Sequence, residues 1–227
     1  MTDSAGQNIV LFDWDGTLVD TLPLLKRAHN LVRKHFGYPL WDDETARQNI
    51  RLPSSELFPA LYADQANQAK DMFYDYVREY HVNHLRPQEG AEDMLGTLTD
   101  AGTTLGVASN KAEHLLRREI QALGWDSFFQ AITGMKGTRT GKPTPDLIDI
   151  SIQDIITNND TGSKHAIYYI GDTAEDMLAA ERAGVFPVFV EHGFGHREKI
   201  KKIRAVKICR TLIDLDEYLQ TILKILK

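Results

Sequence analysis

Short, strongly apolar runs separated by segments of helical period restrict this chain more than any other feature. They stand at 8–12 (NIVLF), 103–108 (TTLGVA), 166–171 (AIYYIG), 185–190 (VFPVFV) and 205–209 (AVKIC), all rich in Val, Ile and Phe. Between the later runs the apolar residues change period. Ala91, Met94, Leu95, Leu98 and Ala101 fall on one helical face, with Gly102 placed to end the helix. Leu116, Ile120 and Leu123 repeat the plan before Gly124, and residues 173–183 do so before Gly184. Strand and helix in alternation predict βαβ units around a parallel sheet. The chain closes on a further amphipathic helix carrying Leu215, Tyr218, Leu219, Ile222, Leu223 and Leu226.

Residues 18–89 break this alternation. They hold no convincing strand but several helical stripes, such as Ala69, Met72, Phe73, Tyr76 and Tyr80. A helical insertion is expected there, dividing an α/β core of residues 1–17 and 90–227. The aromatic stripe reads as bundle core in preference to a ligand cavity. The segment 157–163 (TNNDTGS) reads as a polar loop.

With 227 residues, 42% of them apolar, the chain can build a packed core. A net charge of −6 and a pI near 5.7 argue against nucleic acid and anionic membrane as partners. The basic stretch 197–207 has six Lys or Arg in eleven residues and reads as a solvated helix face. The single cysteine, Cys209, lies in an apolar run and reads as a buried thiol, consistent with a reducing compartment. The polar N-terminus has no basic region and no long apolar run, so a cytoplasmic protein is expected, as a monomer or homodimer. In such a compartment the sequon at Asn159 has no glycosylation meaning.

The first apolar run ends in LFDWDGT, which sets Asp13 and Asp15 on either side of Trp14. Residues i and i+2 of a strand face the same side, so both acids are expected in the crevice at the strand's carboxyl end. Two ionised carboxylates at ~4 Å repel by about 4 kcal/mol at an effective dielectric near 20, so the pair needs a cation or a shared proton. A second acidic cluster, Asp172, Glu175 and Asp176, follows the run at 166–171. Asp172 alone could be a helix cap. Carboxylates converging from two strand ends instead suit a hard cation with oxygen ligands, Mg²⁺.

Two other strand ends add polar groups. Ser109, Asn110 and Lys111 stand where a helix is expected to begin and where backbone N–H groups welcome an anion. Lys142 stands in TGKPTPD, whose Pro143 and Pro145 restrict the backbone. The glycines before it have the wrong spacing for a P-loop, and Pro143 occupies the required Ser or Thr position. The set has the chemistry of phosphoryl transfer through an aspartyl-phosphate: Asp13 as nucleophile, Asp15 as acid and base, a divalent cation and a lysine. Gly16 permits a tight turn and Thr17 a hydrogen bond. His192 and His196 read as loop histidines.

The motifs DWDGT, VASNK, GKPTPD and GDTAEDMLAAERAGV occur in the order and spacing of the haloacid dehalogenase-like hydrolase superfamily, which the chain resembles over nearly its whole length. The resemblance implies a doubly wound, Rossmann-like parallel sheet with an inserted all-helical cap. It implies Asp13 as nucleophile, Asp15 as acid/base, Ser109 and Lys142 as the phosphate-holding pair, and Asp172 as a metal ligand with the Asp13 side chain and the Asp15 carbonyl. Asp176 supports that metal site. Thr17, Asn110 and the cap residue Arg51 complete the expected substrate contacts, with Arg47 as another cap residue able to pair with a substrate carboxylate. The acid at position 15 argues against the dehalogenase and phosphonatase branches and points to phosphate esters. DGTLVDT and SNK look like phosphoglycolate phosphatases, although the cap stretch RQNIRLPSSELFP lacks the glycine many of them carry. The expectation is a Mg²⁺-dependent phosphatase of a small phosphomonoester, with a sugar-phosphate phosphomutase of the β-phosphoglucomutase type as the alternative.

Overall fold

The computed structural model describes residues 8–50, 54–159, 166–195, 200–201, 203 and 207–223. The run IVLF forms β1 (Ile9–Phe12), buried along its whole length. A strand covered on both faces needs apolar side chains on both, which explains the unbroken run. The other core elements follow in chain order: α5 (Ala91–Asp100), β2 (Thr104–Ala112), α6 (Glu113–Leu123), β3 (Phe129–Met135), α7 (Asp146–Asn159), β4 (Ile167–Gly171), α8 (Ala174–Arg182), β5 (Phe186–Val190), β6 (Lys207–Cys209) and α9 (Leu212–Ile222). The six strands are parallel in the order β3-β2-β1-β4-β5-β6. The order reverses at β1, so the crevice for a ligand opens at the carboxyl ends of β1 and β4. Register sets the level of the loops that follow the strands. Phe12 pairs with Val107 on one side and Ile170 on the other, which brings the residues after all three to one height.

The core beneath that edge joins Ile9, Leu11 and Tyr169 of the sheet to Leu147, Ile148 and Ile155 of α7 and Ala179 and Ala180 of α8. Cys209 is a buried free thiol. No helix among the described residues is long and apolar enough to cross a membrane.

Several expected boundaries move. The sheet contains β3, not anticipated because FQAITGM mixes Gln, Thr and Gly with its apolar residues; its burial alternates as an edge strand's does. Residues 109–111 do not open a helix, since β2 runs on to Ala112 through an irregular register and α6 starts at Glu113. The segment expected as loop at 157–163 is helical to Asn159, and its remainder lies outside the described residues.

Residues Asp20–Arg86 form a separate compact unit, inserted between Val19 and Pro87 of the core; the insertion expected over 18–89 runs slightly past it at both ends. It is all-helical: α1 (Leu22–His35), α2 (Asp43–Ile50), α3 (Ser54–Tyr62) and α4 (Ala66–Tyr80). Ala69, Phe73 and Val77 of α4 pack on Leu24, Ala28 and Val32 of α1 and on Phe58 and Tyr62 of α3, with Met72, Tyr76 and Tyr80 at the margin. The aromatic stripe is therefore bundle core. His29 sits inside it, 4.5 Å from the Phe73 ring and 4.7 Å from that of Trp41, with no hydrogen-bond partner at Nδ1. Burial, assisted by the Arg33 charge, pushes its pKa down to about 3.

A histidine with a depressed folded-state pKa is fully accommodated above its unfolded value near 6.5, and the unfolded chain gains protons as pH falls from there toward 3. Urea unfolding of the wild type is expected to lose stability below pH 6.5 by up to about 1.4 kcal/mol per pH unit relative to His29→Phe. Parallel pH profiles for the two proteins would contradict this.

Candidate active site

The carboxyl ends of β1, β2 and β4 bring the charged and polar groups of the site together. Asp13 directly follows β1, its N–H bonded to the Ile170 carbonyl at 2.8 Å, so strand pairing fixes its backbone. Asp172 directly follows β4. Asp176 comes from the first turn of α8, where Thr173 is the N-cap and Asp176 its reciprocal partner: Thr173 Oγ1 accepts from the Asp176 N–H, and the Thr173 N–H donates to Asp176 Oδ2 at 2.9 Å. The cap role thus belongs to Thr173, which leaves Asp172 free for the crevice. Asp13, Asp172 and Asp176 are all buried, with carboxylate oxygens within 4.8 Å of one another.

One cation stands among them. Lys142 Nζ lies 2.6 Å from Asp13 Oδ1 and 2.5 Å from Asp176 Oδ1, and donates to the Tyr169 hydroxyl at 2.9 Å. Burial would lower the lysine's pKa, but Asp13 and Asp176 more than reverse this and hold it well above its ordinary value. Tyr169, in turn, donates to the Ala108 carbonyl at 2.7 Å and so ties the lysine to β2. Three carboxylates against one ammonium leave excess negative charge in a site poor in water. Burial raises the Asp13 pKa to about 6, with Asp176 and Asp15 pushing the same way against Lys142. Asp172 is held well above the usual carboxylate range by burial, then by Asp176 and Asp13.

These residues fit a hard divalent cation. The donors are all oxygen, and three buried carboxylates against one ammonium leave a charge balance that calls for a further cation.

Glycines shape the surrounding shell. Gly16 has φ +84°, and a Cβ there would meet Asp172 Oδ2 at 2.6 Å and Phe194 at 2.7 Å. Thr17 donates to Asp172 Oδ1 at 3.0 Å, and the Phe194 N–H donates to Oδ2 at 2.5 Å. The loop after β5 therefore closes against Asp172, with side chains at Gly193 and Gly195 excluded by the same acid. His192 belongs to this packing, its Nε2 3.0 Å from the Thr17 carbonyl. Sequence distance had concealed the contact, though two glycines around one phenylalanine were a signal of close backbone approach.

Ser109 is buried beside the acids' strand ends and accepts from the Lys111 N–H at 3.3 Å. Asn110, expected as a substrate contact, lies against the loop of Lys142. Its amide is bonded on both sides to the Lys142 main chain, accepting from the N–H at 2.7 Å and donating to the carbonyl at 3.2 Å, so it sets the lysine's loop. The Asp15 side chain stands outside the three-acid cluster and accepts from Lys111 Nζ at 2.8 Å. Lys111, read as an anion donor, is committed to that carboxylate and to Glu119. Sequence reasoning passed over Tyr169, Thr173 and Glu119, since each lies within a run that looks purely structural. Arg51 and His196 lie outside the described residues, as does most of the basic stretch 197–207.

Residues 10–190 match the model of the haloacid dehalogenase-like hydrolases, and the chain belongs to that family. It is 28% identical to a phosphoglycolate phosphatase of Chromobacterium violaceum, covering 91% of this chain and 95% of that one. A 5'-nucleotidase of Pseudomonas aeruginosa is 27% identical over 93% and 95% of the two chains. The pyrophosphatase PpaX of Halalkalibacterium halodurans is 23% identical over 92% and 94%. Among solved structures, a haloacid dehalogenase-like hydrolase of Streptococcus pneumoniae superposes with a TM-score of 0.79 at 23% identity, covering 94% of this chain and 99% of that one, and shares the fold.

The crowding of acids has a stability consequence. A carboxyl whose folded pKa is raised favours folding below its unfolded pKa, and that contribution is lost as pH rises through the folded value. In EDTA, Asp13→Asn is expected to match the wild type near pH 3.5 and to exceed it above pH 6 by on the order of 2–3 kcal/mol in urea unfolding. Equal stability of the two proteins at pH 8 would refute the crowding argument.

Proposed function

We propose that the protein is a Mg²⁺-dependent phosphatase that hydrolyses a small phosphomonoester through a phosphorylated Asp13. The observation that carries this reading is the convergence of three buried carboxylates on one buried lysine at the reversal of the sheet, with a fourth carboxyl, Asp15, standing apart from them. Asp13 attacks phosphorus and the ester P–O bond breaks, its electrons leaving with the alkoxide. Asp15 gives that alkoxide a proton. Water then attacks the aspartyl-phosphate, Asp15 takes the water's proton, and inorganic phosphate departs with Asp13 restored. Lys142 and Ser109 hold the phosphoryl oxygens. Asp13, Asp172 and the Asp15 carbonyl would hold the cation, Asp176 supporting them through Lys142; when bound, Mg²⁺ neutralises charge on the phosphoryl group.

A nucleophile and an acid must not compete for one location. Asp15 is partly exposed, its side chain 29% accessible against 8% for Asp13, so it is open to a leaving group and to water. The relatives' names agree on phosphoric ester or anhydride cleavage and differ in substrate, which supports the reaction class. DGTLVDT and SNK favour phosphoglycolate among the possible esters.

Asp13→Asn is expected to lower p-nitrophenyl phosphate turnover at least 10³-fold with circular dichroism unchanged, and EDTA to abolish wild-type phosphate release until Mg²⁺ is restored. Full turnover by the variant would refute the nucleophile. On a panel of phosphoglycolate, nucleoside monophosphates, sugar phosphates and pyrophosphate, release of inorganic phosphate in step with loss of a monoester is the expected result. Isomerised sugar phosphate without phosphate release would replace this reading by a mutase.

A further inference from the structure

The inner face of α6 carries a charge where its pattern calls for an apolar residue. Leu116, Ile120 and Leu123 define that face, and Glu119 lies on it with no exposed surface. An isolated buried carboxylate is strongly unfavourable, so its partners explain its presence. Trp14, the residue between the two active-site acids, donates its indole N–H to Glu119 Oε2 at 2.6 Å. Lys111 Nζ lies 2.9 Å from Glu119 Oε1 and 2.8 Å from Asp15 Oδ1, with its own side chain 9% exposed. Trp14 is itself fixed, buried edge-to-face against Trp125 with centroids 5.9 Å apart.

We propose that Glu119 and Lys111 are positioning residues that aim the Asp15 carboxyl at the leaving group, Glu119 acting only through Lys111. This rests on the phosphatase reading above and extends it. Lys111 is one side chain between two carboxylates. The buried one is held by Trp14 on a rigid helix, so it anchors the ammonium, and the ammonium then fixes Asp15 through Oδ1. The remaining oxygen, Oδ2, is the atom that carries the proton to the ester oxygen. A lysine meant for substrate would keep its ammonium open to the crevice, whereas this one is enclosed by two acids. A lysine present only to hold α6 to the sheet would have no need of Asp15.

Leaving-group chemistry separates positioning from structural support. An alkyl phosphate needs a proton on its departing oxygen; 2,4-dinitrophenyl phosphate releases a stabilised anion that needs none. The ratio of kcat/KM for these two esters, which reports only the steps up to aspartyl-phosphate formation, is to be measured with Mg²⁺ for the full chain, Glu119→Gln and Lys111→Met, using the alkyl ester that the wild type cleaves fastest. Both variants are expected to raise the dinitrophenyl-to-alkyl ratio at least tenfold, through slower alkyl ester cleavage, and Lys111→Arg is expected to restore part of the loss. A ratio within twofold of wild type, or equal losses on both esters, would overturn the proposal. If Glu119→Gln does not fold, the ratio in Lys111→Met decides alone. Wild type inactive on both esters would instead overturn the phosphatase reading itself.

Discussion

The site depends on the repulsion among Asp13, Asp172 and Asp176. Three carboxylate oxygens within 4.8 Å of one another, all withdrawn from water, cannot all be ionised without nearby positive charge. Lys142 supplies part of it, and much of the surrounding structure serves to keep that lysine in place: the Asn110 amide on its backbone, Tyr169 and Asp176 on its ammonium. The balance is left for a further cation. Local instability and chemical competence have the same origin here.

A parallel sheet is suited to holding such a cluster, because hydrogen bonding across β2, β1 and β4 fixes the height at which their last residues emerge. Acids on three separate flexible loops would relax apart. Here Asp13 is anchored by a strand bond, Asp176 by a helix capping box, and Asp172 by Thr17 and the Phe194 backbone. The loop between Gly193 and Gly195 reaches Asp172 only because neither glycine has a side chain to obstruct it.

The two acids of DWDGT receive different treatment, which is the condition for different work. Asp13 is drawn into the buried cluster, whereas Asp15 is turned to Lys111 and stays partly exposed. Trp14 between them faces away and links the loop to Glu119 on α6. One tripeptide thereby sets two carboxylates in different surroundings and fastens both to the core.

Sequence alone determined the parallel core, its helical insertion and the acids that meet at the strand ends, because strand and helix periods and acids at strand ends are local patterns. The motifs DWDGT, VASNK, GKPTPD and GDTAED were enough to carry the resemblance to the family. The sequence did not reveal β3, whose small and polar residues give no strand period, or the bonds of the Asn110 amide to the Lys142 main chain. Nor could it reveal that Glu119 meets Lys111 and Trp14, or that the loop at Phe194 binds Asp172. Those contacts join residues far apart in the chain, and only packing decides which polar group a buried charge will find.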